Sequence, residues 1–169
     1  MRVVLAAIGI LAIIGAIVIG TYFFGGFYNV GATAAEPDIV DRSLSRVRQA
    51  SIARNATIRP PTPIENIANI RAGARAYAQR GCANCHGAPG VAWAKWSEGL
   101  RPDPPDLKKI VANREPREIF WVIKNGIKMT GMPSFGLIEV PDAEIWTMVA
   151  FLKKLEAVTP EEFREWSAQ

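Results

Sequence analysis

The chain has 169 residues, a net charge of +4 and 49% apolar residues. That is enough for one modest domain with extensions. The charge is too mild for nucleic-acid binding, and no basic run carries interleaved aromatic residues. All of its thiols and its one imidazole fall within residues 82–86, which confines any thiol or histidine chemistry to one place.

Val3 to Ala35 contains no charged residue, and VVLAAIGILAIIGAIVIGTYFF (3–24) is apolar almost throughout. A helix over that run spans about 33 Å, enough for a hydrocarbon core of about 30 Å. The run is longer than the apolar region of a secretory signal. A retained transmembrane anchor over 1–28 is therefore expected, with cleavage near Ala32-Thr33-Ala34 as the alternative. Tyr22, Phe23, Phe24, Phe27 and Tyr28 would form an aromatic belt at its far end. Arg2 before the helix, and Glu36, Asp38 and Asp41 after it, favour a cytoplasmic N-terminus. The chain is then a single-pass protein of a bacterial inner membrane, with its C-terminal part in the periplasm.

Residues 29–61 read as a periplasmic linker with one short amphipathic helix over 39–54. Val40, Leu44 and Val47 recur at i, i+4 and i+7, with Arg42, Arg46, Arg48 and Arg54 elsewhere. Such a helix lies on a membrane or a partner, or serves as a solvated spacer. RPPTP (59–63) is a stiff break, and 62–169 forms the domain. Thr62-Pro63-Ile64-Glu65 and Thr159-Pro160-Glu161-Glu162 pair an N-cap with proline and a glutamate at N3. Glu115-Pro116-Arg117-Glu118 approximates the pattern with a poorer cap. Helices are expected near 64–80, 116–125, 142–155 and 160–167, joined by loops rich in Pro and Gly. No stretch alternates with a period of two, so the domain is all-α. A core of so few short helices is thin, and a large apolar ligand inside would explain its stability.

Residues 81–87 read GCANCHG. A thioredoxin-like pair needs a strand–helix setting that is absent here. Structural zinc wants four Cys or His ligands, and the chain offers three. A plain disulfide leaves His86 unexplained. C-x-x-C-H is the attachment signature of covalent haem. Cys82 and Cys85 on a tight turn reach the two vinyl groups along one edge of the ring, and His86 presents a nitrogen to the iron. One covalent haem c is expected.

An electron-carrying haem held by histidine commonly takes methionine as its second axial ligand. Met1 lies at the membrane terminus, and Met148 sits inside an apolar helix. NGIKMTGMPSFG (125–136) offers Met129 and Met132. Pro133 pushes Met132 towards an extended conformation, and Gly131 lets the backbone come close to something bulky. Met132 is the better candidate and Met129 the alternative, with lysine or water as further possibilities. Ligation by His86 and Met132 leaves no open iron site.

The sequence resembles the class I c-type cytochromes over about 62–158. The resemblance rests on Gly73 and Tyr77, on Gly81 with CANCHG (82–87), and on Pro104-Pro105-Asp106-Leu107. It rests also on NGIKMTGMPSF (125–135) and EIWTMVAFL (144–152). It implies thioethers at Cys82 and Cys85, His86 as proximal ligand and Met132 as distal ligand. It also implies that Gly73 and Tyr77 cross the closing helix near Trp146 and Val149 or Ala150. In such proteins a tryptophan or arginine often hydrogen-bonds a haem carboxylate; Trp93 and Trp96 are as readily explained by packing or exposure. Lys95, Lys108, Lys109, Lys124 and Lys128 either steer an acidic partner or are simply solvated.

The expected function is a membrane-anchored monohaem electron carrier, not an enzyme in itself, working with redox protein partners. It is a subunit of a respiratory or dehydrogenase complex or a tethered shuttle. The alternative is a haem enzyme or gas sensor with an open or labile sixth iron site. A chain that mainly anchors and assembles a larger enzyme is a third, weaker reading.

Overall fold

A computed structural model describes residues 1–61 and 63–168; Thr62, expected above as a helix cap, lies outside them. The chain divides into two compact units, one spanning Met1–Glu36 and the other beginning at Pro37. The first unit is a single helix, α1 (Arg2–Phe24), of which no residue is buried. At about 1.5 Å per residue it is long enough and apolar enough to cross a membrane. Tyr22, Phe23 and Tyr28 cluster at its C-terminal end, with ring centroids 5.2–6.3 Å apart. The Tyr28 hydroxyl donates to Glu36 at 2.6 Å, which ties the end of this unit back to the aromatic cluster.

The second unit is all-helical, as expected. It contains α2 (Asp38–Asn55), α3 (Ile67–Gln79), α4 (Cys82–His86), α5 (Leu107–Ile110), α6 (Pro116–Asn125), α7 (Asp142–Lys154) and α8 (Pro160–Ser167), with one 3-10 turn at Lys95–Gly99. The only extended pairing among the described residues is an isolated bridge between Ala88 and Val91.

The two glutamate-at-N3 starts form as expected. In α8, Thr159 Oγ1 accepts the Glu162 N–H at 3.2 Å, and Glu162 accepts the Thr159 N–H at 2.9 Å. In α6, Glu118 accepts the Glu115 N–H at 3.2 Å. The start of α3 differs from expectation. It begins at Ile67, not 64, because the Asn66 side chain caps it by accepting the Asn69 N–H at 2.8 Å. Glu65 is left outside the helix and pairs with Lys154 at 2.8 Å. Segments 82–86, 95–99 and 107–110, expected as loop, are single helical turns.

The core forms where α3 crosses α7. An added Cβ at Gly73 would lie 1.9 Å from the Thr147 carbonyl oxygen and 2.9 Å from Phe151 Cβ. Only glycine allows that approach. The crossing implied by the resemblance is present, but the nearest neighbours are Thr147 and Phe151; Trp146 instead stacks on Phe120 of α6 at 4.2 Å. Tyr77, Phe151 and Phe163 interlock at 5.3–6.5 Å and bind α8 to the crossing. Lys153 near the end of α7 donates to the carbonyls of Val111, Ala112 and Arg114 at 3.1–3.2 Å. That cation fixes the loop between α5 and α6.

The α2 helix packs on α6 through a side other than the apolar stripe expected to meet a membrane or partner. Leu44 and Val47 are 58% and 66% exposed, whereas Ile52 and the following Ala56 are buried at 6% and 1%. Ser45, Arg48 and Ile52 form the inward face.

Candidate haem site

Helix α3 ends at Gln79, and Gly81, at a φ of 75°, turns the chain into α4. A left-handed residue there suits glycine. The α4 turn is short and closed locally: Asn84 N–H donates to Gly81 at 3.0 Å, and Gly87 N–H to Ala83 at 2.9 Å. The buried Tyr77 hydroxyl donates to the Gly87 carbonyl at 2.7 Å, and burial holds its phenol far above the ordinary range. Neither cysteine is in a disulfide. Burial pushes the Cys82 thiol up to about 12.

His86 Nδ1 lies 3.0 Å from the Pro105 carbonyl oxygen. A carbonyl only accepts, so the imidazole proton sits on Nδ1 and Nε2 keeps its lone pair for a metal. Burial also lowers the His86 pKa, against an opposing pull from the Pro105 carbonyl. The ring is therefore neutral at neutral pH, as a metal ligand must be. Pro105 is a site residue that the sequence identified only as part of a shared motif. A backbone carbonyl nineteen positions away has no side-chain signature.

Met132 is positioned from the other direction. The carbonyls at the end of α6, unpaired within the helix, are taken by the methionine loop. Phe135 N–H donates to Ile123 at 3.2 Å, Gly136 N–H to Lys124 at 2.8 Å and Ser134 Oγ to Lys124 at 2.8 Å. Within the loop, Ile127 N–H donates to Met132 at 3.2 Å and Met132 N–H to Thr130 Oγ1 at 3.1 Å. Gly126, at φ 65°, has the Met132 carbonyl oxygen 2.8 Å from where a Cβ would sit. The close approach expected at Gly131 is to Leu100, whose Cδ1 lies 2.8 Å from the corresponding point.

These two supports meet at one cavity of about 470 Å³, within the usual range for cofactor pockets. Cys82, Cys85, His86 and Met132 all line it, together with apolar side chains such as Leu100, Ile119, Val122, Phe135 and Leu152. Met129 does not reach it; its side chain is 96% exposed. Met148 reaches the wall but is packed in the core at 1% exposure. Among the described residues no three His, Cys, Asp or Glu side chains converge as a metal site. The donor set instead suits iron already inside a macrocycle: two thiols on one turn, an imidazole with a free nitrogen and a soft thioether. The residues fit a haem.

Trp96 also touches the cavity, and Trp93 lines a neighbouring cleft of about 340 Å³ that shares His86. Trp93 Nε1–H donates to Glu98 at 3.3 Å, and both rings are more than half exposed. Of the lysines, Lys95, Lys109 and Lys124 are paired, with Glu98 at 2.6 Å, Asp106 at 3.6 Å and Asp142 at 2.7 Å.

The family described as cytochrome C oxidase, cbb3-type, subunit III matches residues 68–152. The matched segment runs from the start of α3 almost to the end of α7 and contains Cys82, Cys85, His86 and Met132. It makes the domain a monohaem class I c-type cytochrome with covalently bound haem c, the cofactor expected from the motif. No curated protein and no solved structure matches the chain.

Proposed function

Since the chain belongs to the cytochrome c oxidase, cbb3-type, subunit III family, we propose that it is a membrane-anchored relay. It passes single electrons at the periplasmic face of a bacterial inner membrane, as a subunit of an oxidase complex. The observation that carries this reading is the convergence of Cys82, Cys85, His86 and Met132 on one apolar cavity. When bound, haem supplies a one-electron iron couple. The chain's own residues do the rest. Cys82 and Cys85 hold the group in place, so a small helical core need not bind it by packing alone. The Pro105 carbonyl orients His86. The α6 carbonyls hold the loop that presents Met132. The surrounding apolar side chains exclude water and so favour the less charged, reduced state. With His86 and Met132 both holding the iron, the site would transfer electrons and bind no substrate.

The anchor is 1–28 and the haem domain 62–169. The segment 29–61 joins them, with its helix seated on the domain. A cytoplasmic N-terminus places the haem outside, where a donor and an oxidase meet it.

The test is addition of carbon monoxide to the reduced, detergent-purified protein at neutral pH. A relay with Met132 on the iron refuses the gas, and a redox titration of the same sample takes up one electron per chain. Rapid binding would instead favour a haem enzyme or gas sensor with an open sixth site.

A further inference from the structure

Helix α2 lies outside the matched family segment 68–152, yet it supplies part of the cavity wall. Ile52 is buried there, and Arg48, one turn earlier and half-buried, lines the same space. A haem brings carboxylates as well as an apolar ring, and those anions need cations. Three arginines line the cavity: Arg48, Arg80 and Arg114. Arg80 is already engaged, its Nε and Nη2 at 2.7 and 3.1 Å from the two Glu144 oxygens. Arg114 sits 3.8 Å from Glu118. Arg48 donates only to the Ser45 hydroxyl, at 3.0 Å. No carboxylate is within ion-pair distance of it among the described residues. A half-buried guanidinium without an anion is costly, and its planar fork matches a carboxylate.

We propose that Arg48 is a cofactor-binding residue, its guanidinium pairing with a haem carboxylate. This makes α2 part of the haem site and not only a connection to the anchor. The inference rests on the haem reading above. The competing anion is a carboxylate on a docked protein partner.

Full-length wild type, Arg48→Gln, Arg48→Lys and Arg46→Gln are purified in detergent without partners. Arg46, exposed on the same helix, is the control. Haem content is measured first; a haem-free wild type would overturn the haem reading itself. With haem present, spectroelectrochemical titration tests this inference separately. A cation beside the haem favours the reduced state. Arg48→Gln should lower the reduced-to-oxidised ratio at a fixed potential by about tenfold, about 59 mV for one electron. Arg48→Lys should restore most of it, and Arg46→Gln should leave it unchanged. A ratio in Arg48→Gln equal to that of the control overturns the proposal. So does an unchanged ratio with altered salt dependence of transfer to an acidic partner. Should Arg48→Gln not accumulate, resonance Raman on wild type and Arg48→Lys decides: the haem carboxylate bending band shifts if the pair exists and stays if it does not.

Discussion

The two walls of the haem cavity are held by different means. The wall carrying Cys82, Cys85 and His86 is a five-residue turn closed by bonds between near neighbours, with Tyr77 and Pro105 holding its end from further away. The wall carrying Met132 is a loop with no regular structure, pinned to the end of α6 by Phe135, Gly136 and Ser134. The first wall is a local motif whose two thiols suit covalent attachment. The second depends on tertiary fit and offers a single thioether sulfur. A change to either wall should therefore fail in a different way.

The largest effect is expected on the covalent wall. Cys82→Ser with Cys85→Ser should abolish attached haem, because no other thiol is present in the chain. The mass of the Gly81–Lys95 peptide reads this directly. It should carry a haem adduct in wild type and none in the double variant.

A smaller and distinct effect is expected on the methionine wall. Gly126→Ala places a Cβ 2.7 Å from Pro133 C and Ser134 N, at a φ of 65°. The strained backbone and the collision together should cost about 2 kcal/mol or more of stability, seen as a lower denaturant midpoint. The haem should stay covalently attached, while the reduced protein gains carbon monoxide binding as Met132 leaves the iron. Loss of haem from this variant would mean that the two walls are not independent.

The difference also decides what could be read from the sequence. The CANCHG turn, the α6 and α8 starts and the apolar anchor were legible because each is encoded by neighbours. The place of Met132 in the cavity wall was legible through Pro133 and Gly131. Helical turns of four or five residues at 95–99 and 107–110 are too short to show a period. Asn66 caps α3 in place of the Thr-Pro start expected ahead of it. The seating of α2 on the domain was not legible. Leu44 and Val47 stay exposed, as a stripe for a membrane or partner would, while the side that fits α6 presents Ser45, Arg48 and Ile52. Complementarity to a distant helix leaves no trace in local periodicity. The Pro105 carbonyl behind His86 is hidden for the same reason.

The central claim is that one iron is gripped by His86 on one side and Met132 on the other. X-ray absorption at the iron edge of the intact protein, in both oxidation states, tests it most directly. One sulfur scatterer is expected beside the ring and imidazole nitrogens, lost in Met132→Ala and kept in Met129→Ala. A first shell without sulfur in wild type, or a sulfur signal that survives Met132→Ala, would contradict it.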